Sequence, residues 1–182
     1  HLISCELVYV FADPATQTSR PVPQALRDTV LGYEAGEAMV TIQVGRWSEL
    51  GDDARRIRTA VFVEEQRIPK DLESDAADLT AVHAVAYNRL SRPVATGRFV
   101  PHEPGAVKVG RLAVHRVLRG GQLGRQVLQA LMDAARDAGE REVMLHAQRS
   151  AVGFYERLGY QARGEVFEEA GIEHQEMFKP LT

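Results

Sequence analysis

The chain has 182 residues, 45% of them apolar, with 22 Lys and Arg against 25 Asp and Glu and a net charge of −3. This length and balance fit one globular domain with room for a small appendage. No basic excess is available to draw nucleic-acid phosphates or an anionic membrane surface, and no apolar run reaches the roughly 18 residues of a bilayer span. Cys5 is the one cysteine, which excludes an internal disulfide and fits the cytoplasm. The first residues carry no basic segment of a signal peptide, and the missing initiator Met hints at a fragment or a processed chain.

In chain order, Cys5 to Ala12 is β-rich and Asp13-Pro14 breaks it. Arg20 to Pro23 is extended, because each Pro pushes its predecessor out of the helical region. A helix follows over Gln24 to Glu34, with Leu26, Val30 and Tyr33 on one face and Gly36 as its stop. Met39 to Gly45 alternates as a strand. Asp52 and Asp53 are expected to cap a helix that runs through Gln66, and Pro69 ends it. Pro69 to Asp78 reads as an acidic loop, of the kind that is usually solvated. Strands are expected at 80–90, 93–101 and 106–114, the first two joined at Ser91-Arg92. The glycine-rich stretch Arg119 to Gly124 then opens an amphipathic helix presenting Leu123, Val127, Leu128, Leu131, Met132 and Ala135, stopped by Gly139. The remainder reads as a strand at 142–147, a short helix from Ser150 to Leu158, and strands at 160–168 and 172–179 around an Ala170-Gly171 turn. A boundary near Gly36 to Met39 separates an appendage, 1–38, from the main domain, 39–182.

The most informative segment is strand, glycine-rich turn, helix: KVGRLAVHRVLRGGQLGRQVLQAL, residues 108–131. A helix N-terminus offers unpaired N–H groups and the positive end of the macrodipole, and glycines let a bulky anion approach them. Turn geometry alone would also account for glycines here. About thirty residues on, SAVGFYERLGY (150–160) follows. Arg119 and Gly124, followed by Phe154-Tyr155-Glu156 and Leu158-Gly159-Tyr160, resemble the GNAT superfamily of N-acetyltransferases. The resemblance spans about 39–179. VFVEEQ (61–66), Glu73 with Asp75, GRF (97–99), VGRLAV (109–114), AQ (147–148) and GEVFEEAGIEHQEM (164–177) are similar to its ElaA-like branch.

The resemblance implies an α+β fold with a twisted mixed sheet, splayed between the strands near 108–114 and 142–148 where acetyl-CoA would lie. It implies transfer of the acetyl group to a primary amine, of a small molecule or peptide, by direct attack in a ternary complex. No metal is implied, and a homodimer is compatible with the family. Backbone groups of Leu112, Ala113 and Val114 would hold the pantetheine, with the N–H near Val114 polarising the thioester carbonyl. Arg119, Gly120, Gly121, Gln122, Leu123, Gly124 and Arg125 would hold the diphosphate, with Phe154 beside them. Gln122 stands where the family's R-G-x-G-x-G has its middle glycine, so its Cβ could narrow the approach.

Tyr155 matches the family's general acid, and a phenol of pKa about 10 is protonated at neutral pH. For the amine's base, Glu64, Glu65, Asp75, His83, His115 and His174 are candidates; Glu65, Asp75, His83 and His174 match the ElaA-like pattern best, and a water relay is an equal alternative. Arg98 and Arg111 are expected to pair with the acidic loop. A longer acyl donor and a CoA-binding module without catalysis are the competing readings. The histidines and the cysteine show no metal-ligand spacing, and neither a G-x-S-x-G elbow nor a Walker sequence is present.

Residues 5–36, with VYVF and then RPVPQALR, resemble the closing strand and final helix of YbgC-like hotdog-fold acyl-CoA thioesterases. That resemblance implies a piece of a thioesterase–acetyltransferase fusion, without the thioesterase's catalytic segment.

Overall fold

The computed structural model describes residue 8 and residues 10–181. They fall into two compact units, His1–Met39 and Val40–Thr182. In the first, Ala12 bridges Ser19 and helix α1 spans Gln24–Glu34; the strand expected from Cys5 lies largely outside the described residues. Leu26, Val30 and Tyr33 of α1 are exposed.

The second unit is one seven-stranded sheet. Its elements are β1 (Val40–Gly45), α2 (Trp47–Arg58), α3 (Lys70–Glu73), β2 (Val82–Asn88), β3 (Pro93–Pro101), β4 (Ala106–Val114), α4 (Leu123–Asp137), β5 (Glu142–Gln148), α5 (Val152–Glu156), β6 (Gln161–Glu169) and β7 (Ile172–Pro180). The spatial order is β1-β2-β3-β4-β5-β7-β6. Only β4 and β5 pair in parallel, because α4 carries the chain back across the sheet between them. The β6–β7 turn at Ala170 (φ 54°) and Gly171 (φ 75°) has two left-handed residues, the geometry that suits a two-residue hairpin loop.

Helix α4 buries Val127, Leu128, Leu131 and Met132 in a core shared with Phe99 of β3, Val107 and Val109 of β4, and Val143 and Leu145 of β5. Gly97 on β3 permits this approach: a Cβ there would lie 3.0 Å from the Leu131 side chain and 3.1 Å from that of Leu112. Separate buried clusters join α2 to the sheet: Leu50 and Ala54 with Val85, and Ile57 with Val61 and Ala113.

Two expectations need correction. Helix α2 starts at Trp47, not at Asp52, and the Arg46 backbone N–H donates to Glu49 Oε2 at 2.8 Å. Asp52 and Asp53 sit within the helix, which continues as a π-helix over Thr59–Glu65. The acidic segment after Pro69 is not a solvated loop. It folds into α3 and a 3₁₀ turn, Ala76–Leu79, with Glu73 and Asp78 buried. Three arginines draw those carboxylates inward. Arg58 pairs with Glu73 and donates to Asp78 at 2.7 and 3.0 Å, and Arg98 binds Asp75 at 2.6 and 2.8 Å and also Asp78. Arg111 reaches Asp75 at 3.0 Å and the Glu73 carbonyl at 2.9 Å. Among the described residues no helix is long and apolar enough to cross a membrane.

Candidate active site

Strands β4 and β5 stay paired only from Ala106↔Glu142 to Val109↔Leu145. Beyond that point Gly110–Val114 and His146–Gln148 separate, and a cavity of about 1270 Å³ opens between them. A bulge in β4 helps part the strands. Thr96 faces Ala113 but Arg98 faces Gly110, so β4 carries one extra residue, and Arg111 takes a left-handed φ of 52°. The His115 N–H donates to the Val94 carbonyl at 3.0 Å. Since successive N–H groups point to opposite edges of a strand, that of Val114 faces the opening, and Leu112 lines it beside the bulge.

One end of the cavity is bounded by Arg119, Gly120 and Gln122–Arg125. Gly120 (φ 86°) and Gln122 (φ 62°) are both left-handed, so Gln122 keeps the glycine conformation without being glycine. Among the described residues no side chain caps α4, so its first-turn N–H groups remain for an anion. Arg119 holds this turn in place: Nε donates to the Val114 carbonyl at 3.2 Å, and the two terminal nitrogens grip Glu65 at 2.7 and 2.8 Å.

Tyr155 and Phe154 line the cavity and meet edge to face at 5.0 Å, and Tyr155 meets Tyr160 likewise at 5.7 Å. Tyr155 is buried, which pushes its phenol up to about 12 and keeps it protonated.

The candidate bases are dispersed. His174 lines the cavity, its Nδ1 donating to the Ile172 carbonyl at 2.8 Å. Asp75 also lines it, but the Arg98 hydrogen bonds hold its carboxyl below the usual range. Glu65 is engaged by Arg119, whose hydrogen bonds likewise lower its pKa. His83 is not brought to the cavity. It is buried on β2 against Trp47, 4.9 Å between rings, with Nε2 donating to the Asp78 carbonyl at 2.9 Å, and burial holds its pKa down. Glu64 and His115 are exposed and do not line the cavity.

One group of residues in the cavity wall leaves little trace in the sequence. His146 Nδ1 lies 2.8 Å from Glu169 Oε2 and 3.1 Å from Lys108 Nζ, and all three residues line the cavity. The available signal was a lone histidine inside the apolar strand EVMLHAQ. Among the described residues no cluster of three or more His, Cys, Asp or Glu could hold a metal ion.

A split parallel pair, an uncapped glycine-bearing turn and a buried tyrosine now stand around one cavity, and comparison with known proteins identifies the arrangement. The family described as acetyltransferase (GNAT) domain matches residues 51–181. The chain is 37% identical over 128 residues to the Bacillus subtilis (strain 168) protein YjcF, named as an uncharacterized N-acetyltransferase, covering 70% of this chain and 90% of that one. Among solved structures it is similar to Escherichia coli ElaA (29% identity, TM-score 0.69, 78% of this chain and 99% of that one). An acyl-CoA N-acyltransferase from Pseudomonas aeruginosa is similar to the same degree (28% identity, TM-score 0.69, 77% and 99%). The chain belongs to the GNAT acetyltransferase family and is an acyl-CoA-dependent N-acetyltransferase.

Proposed function

We propose that the donor is acetyl-CoA and that its acetyl group passes to a primary amine, of a small molecule or a peptide, by direct attack in a ternary complex. The observation that carries this reading is the sheet opening itself, with free N–H groups along one wall and an uncapped helix at its mouth. A diphosphate in the turn from Arg119 to Arg125 would lead the pantetheine along β4 toward the closed end. The Val114 N–H then meets the pantetheine. The N–H near Val114 that meets the thioester oxygen is the deeper one, of Leu112. One such donor contributes on the order of 3 kcal/mol when aimed at a developing oxyanion.

Tyr155 assists the departing sulfur. A phenol near 12 cannot hand its proton fully to a thiolate of ordinary pKa, about 8.5, without an uphill step of about 5 kcal/mol. Its part is therefore a hydrogen bond to the sulfur as the C–S bond lengthens. Tyr155→Phe should bind acetyl-CoA as the wild type does and lose on the order of 100-fold in kcat. Thiol release across a panel of primary amines measures the turnover, and calorimetry measures the binding. Folded protein that takes up no CoA at millimolar ligand sinks the reading.

The single cysteine accords with a cytoplasmic location. For residues 5–36 we infer descent from the last strand and helix of a hotdog thioesterase, with the chain as part of a thioesterase–acetyltransferase fusion. The RPVPQALR run and the exposed apolar residues of α1 support this. The sequence of the parent gene decides it: an open reading frame starting at position 1 would end the idea.

A further inference from the structure

We infer that His146 accepts the proton of the attacking amine and that Glu169 is the residue that positions it. The inference rests on the acetyl-transfer reading and names a working group within that site.

The place comes from the strand register. Val109↔Leu145 is the last β4–β5 pair, so His146 is the first residue of β5 on the open side. A pantetheine entering from the Arg119–Arg125 end has its thioester at this closed end. Leu145 and Ala147 are buried in the core that α4 covers, so alternation turns His146 to the opposite face, where an acceptor can approach without crossing the donor. His174, the other cavity histidine, pairs with Gln148 on the neighbouring strand. That puts its backbone about 8 Å farther from the closed end than that of His146.

Local chemistry points the same way. Of the two groups at His146 Nδ1, the Glu169 carboxylate is the nearer, at 2.8 Å against 3.1 Å for the Lys108 ammonium, and a carboxylate accepts, so Nδ1 carries the proton. With Nδ1–H donated to Glu169, the lone pair belongs to Nε2, for which no partner is seen among the described residues. Phe167 braces the ring edge-on at 4.7 Å. The charged and titratable groups around His146 are Lys108 on β4, Glu169 on β6, and Glu176 and His174 on β7, with the Asp75–Arg111 pair across the cavity; Glu176 is the register partner of His146 and is bound by Arg163 of β6. In the reaction the amine nitrogen bonds to the carbonyl carbon and gives its proton to Nε2. The C–S bond breaks, the thiolate leaves hydrogen-bonded to Tyr155, and the proton held on Nε2 returns to it through solvent, so protons balance and the imidazole is neutral again.

Bromoacetyl-CoA tests this without knowledge of the acceptor, because its electrophilic CH₂ sits where the acetyl methyl would. Nε2 displaces bromide, and the adduct is located by peptide mass spectrometry. The wild type should be labelled at His146, with CoA protecting. Glu169→Gln should slow labelling on the order of 10-fold with CoA affinity unchanged, and Glu169→Asp should recover part of that loss, because the carboxylate fixes the Nδ1–H tautomer that leaves Nε2 free. His146→Gln should cut labelling on the order of 100-fold while calorimetry shows unchanged CoA affinity. Label on His174 or Tyr155 alone, no label despite CoA binding, or labelling of Glu169→Gln as fast as that of the wild type overturns the assignment. Failure of the folded wild type to bind CoA removes the donor reading and this assignment together.

Discussion

Two charged clusters border the same cavity, and they are built on opposite plans. In one, Arg58, Arg98 and Arg111 meet Glu73, Asp75 and Asp78, three cations to three carboxylates; Arg58 is 1% exposed and Asp78 2%. Those groups are turned toward one another and clamp the segment 70–79 onto α2, β3 and β4. In the other, Lys108, His146 and Glu169 share a single ring nitrogen, and the second ring nitrogen stays available. Neutral, closed and mostly buried describes a structural joint, whereas an oriented ring with an unused lone pair describes a tool. Residue types alone do not separate the two. What separates them is how many hydrogen-bonding positions each leaves unused.

Stability measurements should break or sharpen that contrast. Arg58→Ala leaves buried carboxylates without their cation and should cost about 3–5 kcal/mol in urea unfolding. Glu169→Gln, at a half-exposed side chain, should cost less than about 1 kcal/mol; comparable losses for the two would dissolve the distinction. Acid gives a second test. The Arg98 hydrogen bonds lower Asp75; at Asp78 burial works upward, but the Arg58 and Arg98 contacts outweigh it and the net shift is also down. Folded values below the unfolded value of about 3.9 mean that the unfolded chain takes up protons first. The clamp's contribution is therefore complete above about pH 4 and is lost as pH falls through the folded values. Urea midpoints at pH 6, 4 and 3 should show the drop, and a flat profile would deny the clamp its role. A further small effect lies outside both clusters. Gln122→Gly relieves a left-handed residue and should add about 1 kcal/mol, read as a slightly higher Tm.

Much of this architecture was legible because its signals are local. The strand before Arg119, the turn and α4 are contiguous, and Tyr155 lies one short element beyond β5. The start of α2 was hidden because Arg46 carries no capping oxygen of its own; the acceptor comes from Glu49, while Asp52 and Asp53 imitate a cap inside the helix. His83 looked available as a strand histidine, yet which face of β2 is buried against Trp47 depends on helix docking, which spacing does not record. The His146–Glu169 contact joins residues 23 apart through β7, which lies between their strands. Only the strand order brings them together.

The kink at Arg111 has a consequence for how this enzyme can change. A left-handed arginine is disfavoured by about 1–2 kcal/mol relative to the ordinary helical conformation, and here its guanidinium is moored to the carbonyls of Leu72 and Glu73 and to Asp75. The outline of the donor channel is thus dictated from outside the channel, by a mooring on the 70–79 segment. Substitutions at that mooring can retune reactivity while every residue that meets the thioester stays the same.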